Sequence, residues 1–205
     1  MNPFLDRKKH VDIRTGGNLP HWQQNGKIQF ITFRLADSLP QSKIRELKTC
    51  ITNFKNEHPL PWSDATKLEY RNITGQMEES LLDNGYGSCL LQYVEFRQIV
   101  VSSINYYSSQ LYDVAAFVIM PNHVHLLLHF YPETITEKVL HSIKSFTAHQ
   151  INVKRQQFGT VWMSEYFDRI VRSRSDLQNY IDYIENNPRN LNPDKFTLYV
   201  NPDWR

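Results

Sequence analysis

The chain has little of several things, and each shortage excludes a class of protein. Its 205 residues hold 2 cysteines, Cys50 and Cys89, too few and too far apart for a disulfide framework or a cysteine metal site. Reduced thiols in a cytoplasmic protein are therefore expected. No apolar run approaches the roughly 18 residues needed to cross a bilayer, so no membrane partner is expected. Residues 1–14 are charged and lack the apolar centre of a secretory signal. The formal net charge of +2 is too small to announce a nucleic-acid partner by itself. Repeats, low-complexity tracts and obvious linkers are missing too. A single domain over 1–205, with an irregular polar insertion at about 59–87, is the simplest organisation for this length.

Hydrophobic periodicity supplies the elements. Residues 27–36 alternate as a strand, and Ile44, Leu47, Ile51 and Phe54 recur at helical spacing. The stretch 59–87, interrupted by two prolines and three glycines, suggests only one short helix near 76–82. Helical spacing resumes over 92–110. Two strands then flank Pro121-Asn122 as a hairpin, Tyr112 to Met120 and Asn122 to Phe130. A helix follows over about 134–156, with Ile135, Val139, Ile143 and Phe146 on one stripe. Residues 161–171 contain a strand-like aromatic segment ending in Arg172. A last helix, opened by a Ser175/Gln178 capping box, ends before Pro188. This order predicts an α+β sandwich, a mostly antiparallel sheet with helices packed on it.

The chemistry concentrates in two places. In Met-Pro-Asn-His-Val-His-Leu-Leu (120–127), His123 and His125 are two apart on a strand, so both imidazoles face one way and could hold one divalent ion. By itself the pair is more simply a partly exposed strand with two solvated histidines. On the last helix, Leu177, Ile181 and Ile184 form a buried stripe, and Tyr183 and Asn187 stack four apart on its flank with Tyr180 nearby. Asn187 offers a carbonyl oxygen that could complete a site begun by two imidazoles. Charge gathers locally as well. Residues 141–174 carry six Lys/Arg against two acids, a mildly basic stripe that could neutralise phosphates.

Together these motifs resemble the HUH single-tyrosine transposases. The 120–127 segment looks like their histidine–hydrophobic–histidine signature. Trp162 to Arg172 is similar to an aromatic/arginine block. Tyr183-Ile-Glu-Asn-Asn187-Pro188 matches the tyrosine helix of the REP-associated tyrosine transposases, and Pro20-His21-Trp22 with 28–39 resembles that branch's opening strand. The likeness covers about 19–191. After Pro188 the chain departs, reading Arg-Asn-Leu-Asn where a Lys-Ala-Gly-Leu-like stretch is usual.

The resemblance implies a ferredoxin-like core with a C-terminal tyrosine-bearing helix. It implies Tyr183 as nucleophile, with His123, His125 and Asn187 around Mg2+ or Mn2+. It also implies cleavage and rejoining of single-stranded DNA at hairpins through a 5′-phosphotyrosine link. Candidate DNA contacts are Lys144, Arg155, Arg169, Arg172 and Arg174. A monomer and a homodimer are both compatible. The alternative reading is a DNA-hairpin-binding regulator of the same fold.

Overall fold

The computed structural model describes residues 2–14 and 21–205, the side chains of Ile13, Arg14, Asp64, Leu68, Arg71, Gln76, Glu78, Glu79 and Asp83 aside. Leu19 and Pro20, where the motif resemblance begins, lie outside the described residues. The elements are β1 (Asp12–Arg14), β2 (His21–Gln23), β3 (Ile28–Arg34), α1 (Gln41–Glu57), α2 (Asp64–Asp83), α3 (Val94–Tyr106), β4 (Tyr112–Ile119), β5 (His123–Phe130), α4 (Thr136–Arg155), β6 (Phe167–Ile170), α5 (Arg174–Asn186) and β7 (Thr197–Val200).

Two compact units are present, residues 1–36 with 90–205, and residues 37–89. The larger unit is built on a five-stranded sheet in the order β6-β3-β5-β4-β7, every neighbouring pair antiparallel. From β3 through α3, β4, β5 and α4 to β6 the chain follows the β-α-β-β-α-β path of a ferredoxin-like fold. The predicted α+β sandwich is the observed architecture.

Helices cover both faces of the sheet, so β5 is buried along almost its whole length and reads as a nearly continuous apolar run. Alternation sorts its side chains. Val124, Leu126, Leu128 and Phe130 join Phe96, Val100 and Ile104 of α3 and Val139, Leu140 and Ile143 of α4 in one core. Leu127, with Ile28 and Phe30 of β3, packs beneath Leu177, Ile181 and Ile184 of α5 in the other. A register shift between Val114 and Ala116 accommodates an extra residue in β4. It leaves two small residues, Ala115 and Ala116, in the layer where α5 packs.

In the smaller unit α2 is 20 residues long, not the short helix expected at 76–82. Both prolines precede it, Ser63 caps it by accepting from Thr66 N at 3.1 Å, and Gly75 is absorbed in its interior. Phe54 stacks on His58 at 4.2 Å, and Trp62 leans on Tyr70 at 4.9 Å.

Three further local expectations change. On α4 the buried stripe turns through Thr147 and Ile151, leaving Phe146 half exposed. The α5 cap is Ser173, whose hydroxyl accepts from Asp176 N at 3.1 Å, rather than Ser175. The strand expected within 161–171 is confined to the four residues of β6, with Trp162 bridging Leu35 separately. The sequence signals did not foresee β7. It pairs with β4, and the tail beyond it brings Trp204 against the α5-side core. No helix among the described residues is long and apolar enough to cross a membrane.

Candidate active site

The β3–β5 register places Thr32 opposite His125 and Arg34 opposite His123, all on the sheet face that carries α5. Both histidines are buried, His123 1% and His125 0% exposed. Their Nε2 atoms are 3.0 Å apart. The outer nitrogens are held by neighbours: Nδ1 of His123 donates to Asn122 Oδ1 at 2.8 Å, and Nδ1 of His125 shares a hydrogen bond with Thr32 Oγ1 at 2.7 Å. Since a carbonyl oxygen only accepts, the His123 proton sits on Nδ1 and its Nε2 turns a lone pair toward His125. Burial keeps the imidazoles neutral. It lowers the pKa of His123 to about 3 and that of His125 well below the ordinary histidine value, with the neighbouring His123 adding to the second shift.

The buried stripe of α5 fixes its rotation, and its flank delivers the tyrosines. The Tyr183 hydroxyl comes within 3.4 Å of His125 Nε2, the two rings edge to face at 5.2 Å. Tyr180 instead stacks flat on Phe30 at 4.5 Å. Burial raises its phenol above the ordinary value, with Arg169 pulling the other way. One turn beyond Tyr183, Asn187 carries a side-chain oxygen that is buried without a hydrogen-bond partner.

These residues fit a divalent ion. Two nitrogens at right angles on one metal, with bonds of about 2.1 Å, stand about 3.0 Å apart. The imidazoles are neutral, as ligands must be, and their outer nitrogens are oriented by hydrogen bonds. The orphan oxygen of Asn187 is a further donor on the facing helix. Among the described residues no cluster of three or more His, Cys, Asp or Glu could hold a metal. The remaining ligands would therefore be oxygens of amide, water or substrate.

The five basic candidates separate. Arg169 lies opposite Phe30 on the α5 face and sits over the Phe167 ring at 5.0 Å. Arg172 and Arg174 are exposed where β6 passes into α5. Lys144 and Arg155 belong to α4, which packs on the other face of the sheet. There Lys144 Nζ donates to Ser164 O at 2.7 Å, and burial lowers its pKa to about 8. Periodicity missed Arg34, 8% exposed and next to His123 across the strand pair, as well as the orienting roles of Thr32 and Asn122. Only the pairing register, a non-local property, picks out Thr32 and Arg34, whereas Asn122 adjoins His123 in the chain.

Residues 92–187, from the approach to α3 through the end of α5, match the family model described as transposase IS200 like. Over 113 residues the chain is 28% identical to a protein of Haemophilus influenzae named as a REP-associated tyrosine transposase. The match covers 49% of this chain and 62% of that relative's length. The resemblance read from the motifs is thus carried by a family match and a named relative. Among solved structures, a REP-associated tyrosine transposase bound to a REP hairpin aligns with a TM-score of 0.44 at 14% identity, covering 85% of this chain and 73% of the other. A transposase from Deinococcus radiodurans R1 aligns with a TM-score of 0.34 at 14% identity, covering 85% and 97%.

Proposed function

We propose that this protein is a tyrosine transposase that cleaves and rejoins single-stranded DNA beside hairpins of the REP type. The observation that carries this reading is the 3.4 Å approach of the Tyr183 hydroxyl to one of two imidazoles whose Nε2 atoms are 3.0 Å apart. Tyr183 and the histidine pair meet here within one chain.

Tyr183, on the open flank of α5, is the nucleophile. Its phenol gives up a proton, and its oxygen attacks the scissile phosphorus. The bond to the 3′ oxygen breaks, and that oxygen leaves as a 3′-hydroxyl after taking up a proton. The product is a 5′-phosphotyrosine that preserves the phosphodiester energy, so another 3′-hydroxyl can reverse the step onto a new strand. His123, His125 and Asn187 would hold Mg2+ or Mn2+, which supplies Lewis-acid polarisation of the phosphate and offsets charge in the transition state. Imidazole donors favour manganese over magnesium. Asn122 and Thr32 orient the imidazoles, and Arg34 adds fixed positive charge beside His123. Tyr180 is the poorer nucleophile, since its ring is stacked on Phe30 and burial disfavours its ionised form. Arg169, Arg172 and Arg174 would contact phosphates on the α5 side.

The test is a denaturing gel of protein incubated with hairpin-bearing single-stranded DNA and Mn2+. Wild type and Tyr180→Phe should form a covalent adduct, and Tyr183→Phe should not. An adduct that survives in Tyr183→Phe and disappears in Tyr180→Phe would overturn the assignment of the nucleophile. Tight hairpin binding by wild type with no cleavage would favour a regulatory binding protein instead.

A further inference from the structure

Arg7, Lys8 and Lys9 follow one another before β1, all three exposed, on a turn whose shape is dictated by buried groups. Gln24, 5% exposed, spends its whole amide on that turn. Its Oε1 accepts from Asp6 N at 2.7 Å, and its Nε2 donates to the carbonyls of Asp6, Lys9 and His10 at 2.9, 3.3 and 3.2 Å. Lys9 N donates to Asp6 O at 3.1 Å and closes the loop. Upstream the segment is sewn to the end of the sheet by Ile28 N to Pro3 O and Leu5 N to Val171 O, each 2.9 Å, and by Lys27 Nζ to Asn2 O at 2.7 Å. Nearby carboxylates are engaged locally. Asp6 Oδ1 accepts from Lys8 N at 3.0 Å, and Asp12 stands 3.3 Å from His10.

Three adjacent cations repel one another, so a loop that presents them in a single shape works against its own electrostatics until an anion arrives. The placement names the anion. Leu5 is bonded to Val171, and the following residues, Arg172 and Arg174, are exposed cations at the start of α5. Tyr183 lies nine residues along that helix, about 14 Å at 1.5 Å per residue. Arg169 lies between, beside Tyr180. About 14 Å is roughly four nucleotides at the stacked spacing of about 3.4 Å.

We propose that the Arg7–Lys9 turn, clamped by Gln24, grips the phosphates of the single strand that leads away from Tyr183 along α5. The inference rests on the DNA-cleaving reading above and adds to it a docking element for the strand beside the hairpin.

The test is fluorescence anisotropy over a salt series, with a hairpin carrying single-stranded flanks and with the same hairpin lacking them. The triple variant Arg7→Ala/Lys8→Ala/Lys9→Ala should bind the flanked hairpin at least tenfold more weakly at low salt. Its slope of log affinity against log salt should shrink by about 2, near 0.7 for each lost charge on single-stranded DNA. The bare hairpin should show the same slope for variant and wild type. The melting temperature should not change, because the three side chains are exposed. Gln24→Ala, which keeps every charge but frees the turn, should weaken flanked-hairpin binding severalfold with the slope preserved. An unchanged slope on the flanked hairpin overturns this inference, and a Tyr183-dependent adduct in the same preparation shows that the DNA-cleaving reading still stands. A wild type that binds neither DNA sinks both.

Discussion

Asn122 and His123 are adjacent in the chain, and the side chain of the first sets the tautomer of the second: Oδ1 of Asn122 accepts from Nδ1 of His123 at 2.8 Å. Thr32, on the neighbouring strand, meets Nδ1 of His125 at 2.7 Å. The two buried imidazoles are therefore oriented before any ligand arrives, their inner nitrogens turned toward each other and toward the tyrosine helix.

Removing either orienting partner should weaken metal affinity without abolishing the fold. Asn122→Ala and Thr32→Val are each expected to raise the Mn2+ dissociation constant by about 10- to 100-fold. Titration calorimetry or manganese spin resonance would measure it, and a wild-type affinity in both variants would remove the orienting role.

Asn187 should behave unlike an ordinary buried asparagine. Its oxygen has no partner within the protein, so Asn187→Ala deletes an unsatisfied group, and the apo protein should lose less than about 1 kcal/mol of stability. Mn2+ affinity should nevertheless fall about tenfold or more. Large destabilisation with unchanged metal binding would assign Asn187 to structure alone.

Acid should destabilise the apo protein through the histidine pair. Each imidazole is buried neutral, with a folded pKa below the unfolded value of about 6.5. Below that value the unfolded chain binds protons that the folded chain refuses, so stability falls as pH falls. The loss runs from about pH 6.5 downward, toward the folded value of about 3 for His123. Its limiting slope is about 1.4 kcal/mol per pH unit for each histidine. Urea midpoints between pH 7 and 4 should therefore drop more steeply in wild type than in His123→Gln, and parallel curves would contradict the buried neutral assignment.

The packing of α5 should control the chemistry as well as the stability. Ile181 is fully buried between the helix and the sheet. Ile181→Ala is expected to cost about 2–5 kcal/mol, measured by urea unfolding. Because Tyr183 is positioned by the same helix, adduct formation should slow in the variant even at temperatures where it remains folded. A full-rate variant would show that the tyrosine needs no such support.

What the amino-acid order determined unaided was local. Two-residue alternation put His123 and His125 on one face of a strand. The spacing of Leu177, Ile181 and Ile184 gave α5 its buried side and left Tyr183 and Asn187 together on its flank. Such patterns are legible because a strand and a helix each repeat over a few residues, whatever the rest of the chain does. Local signals misjudged α2 and the α5 cap, where neighbouring turn-forming residues offered more than one starting point.

Tertiary structure decided everything that depends on partners distant in sequence. Pairing of β3 with β5 set Thr32 and Arg34 beside the histidines, and packing of α5 on that same face, rather than with α3 and α4 on the other, brought Tyr183 to His125. It also parted Lys144 and Arg155 from the other basic candidates, although all five lie within one short stretch of chain, and it bonded Leu5, just before the N-terminal turn, to Val171 just after β6. The physical reason is that strand register and the choice of sheet face are fixed by burying apolar surface across the whole unit, a sum over contacts that no window along the chain contains.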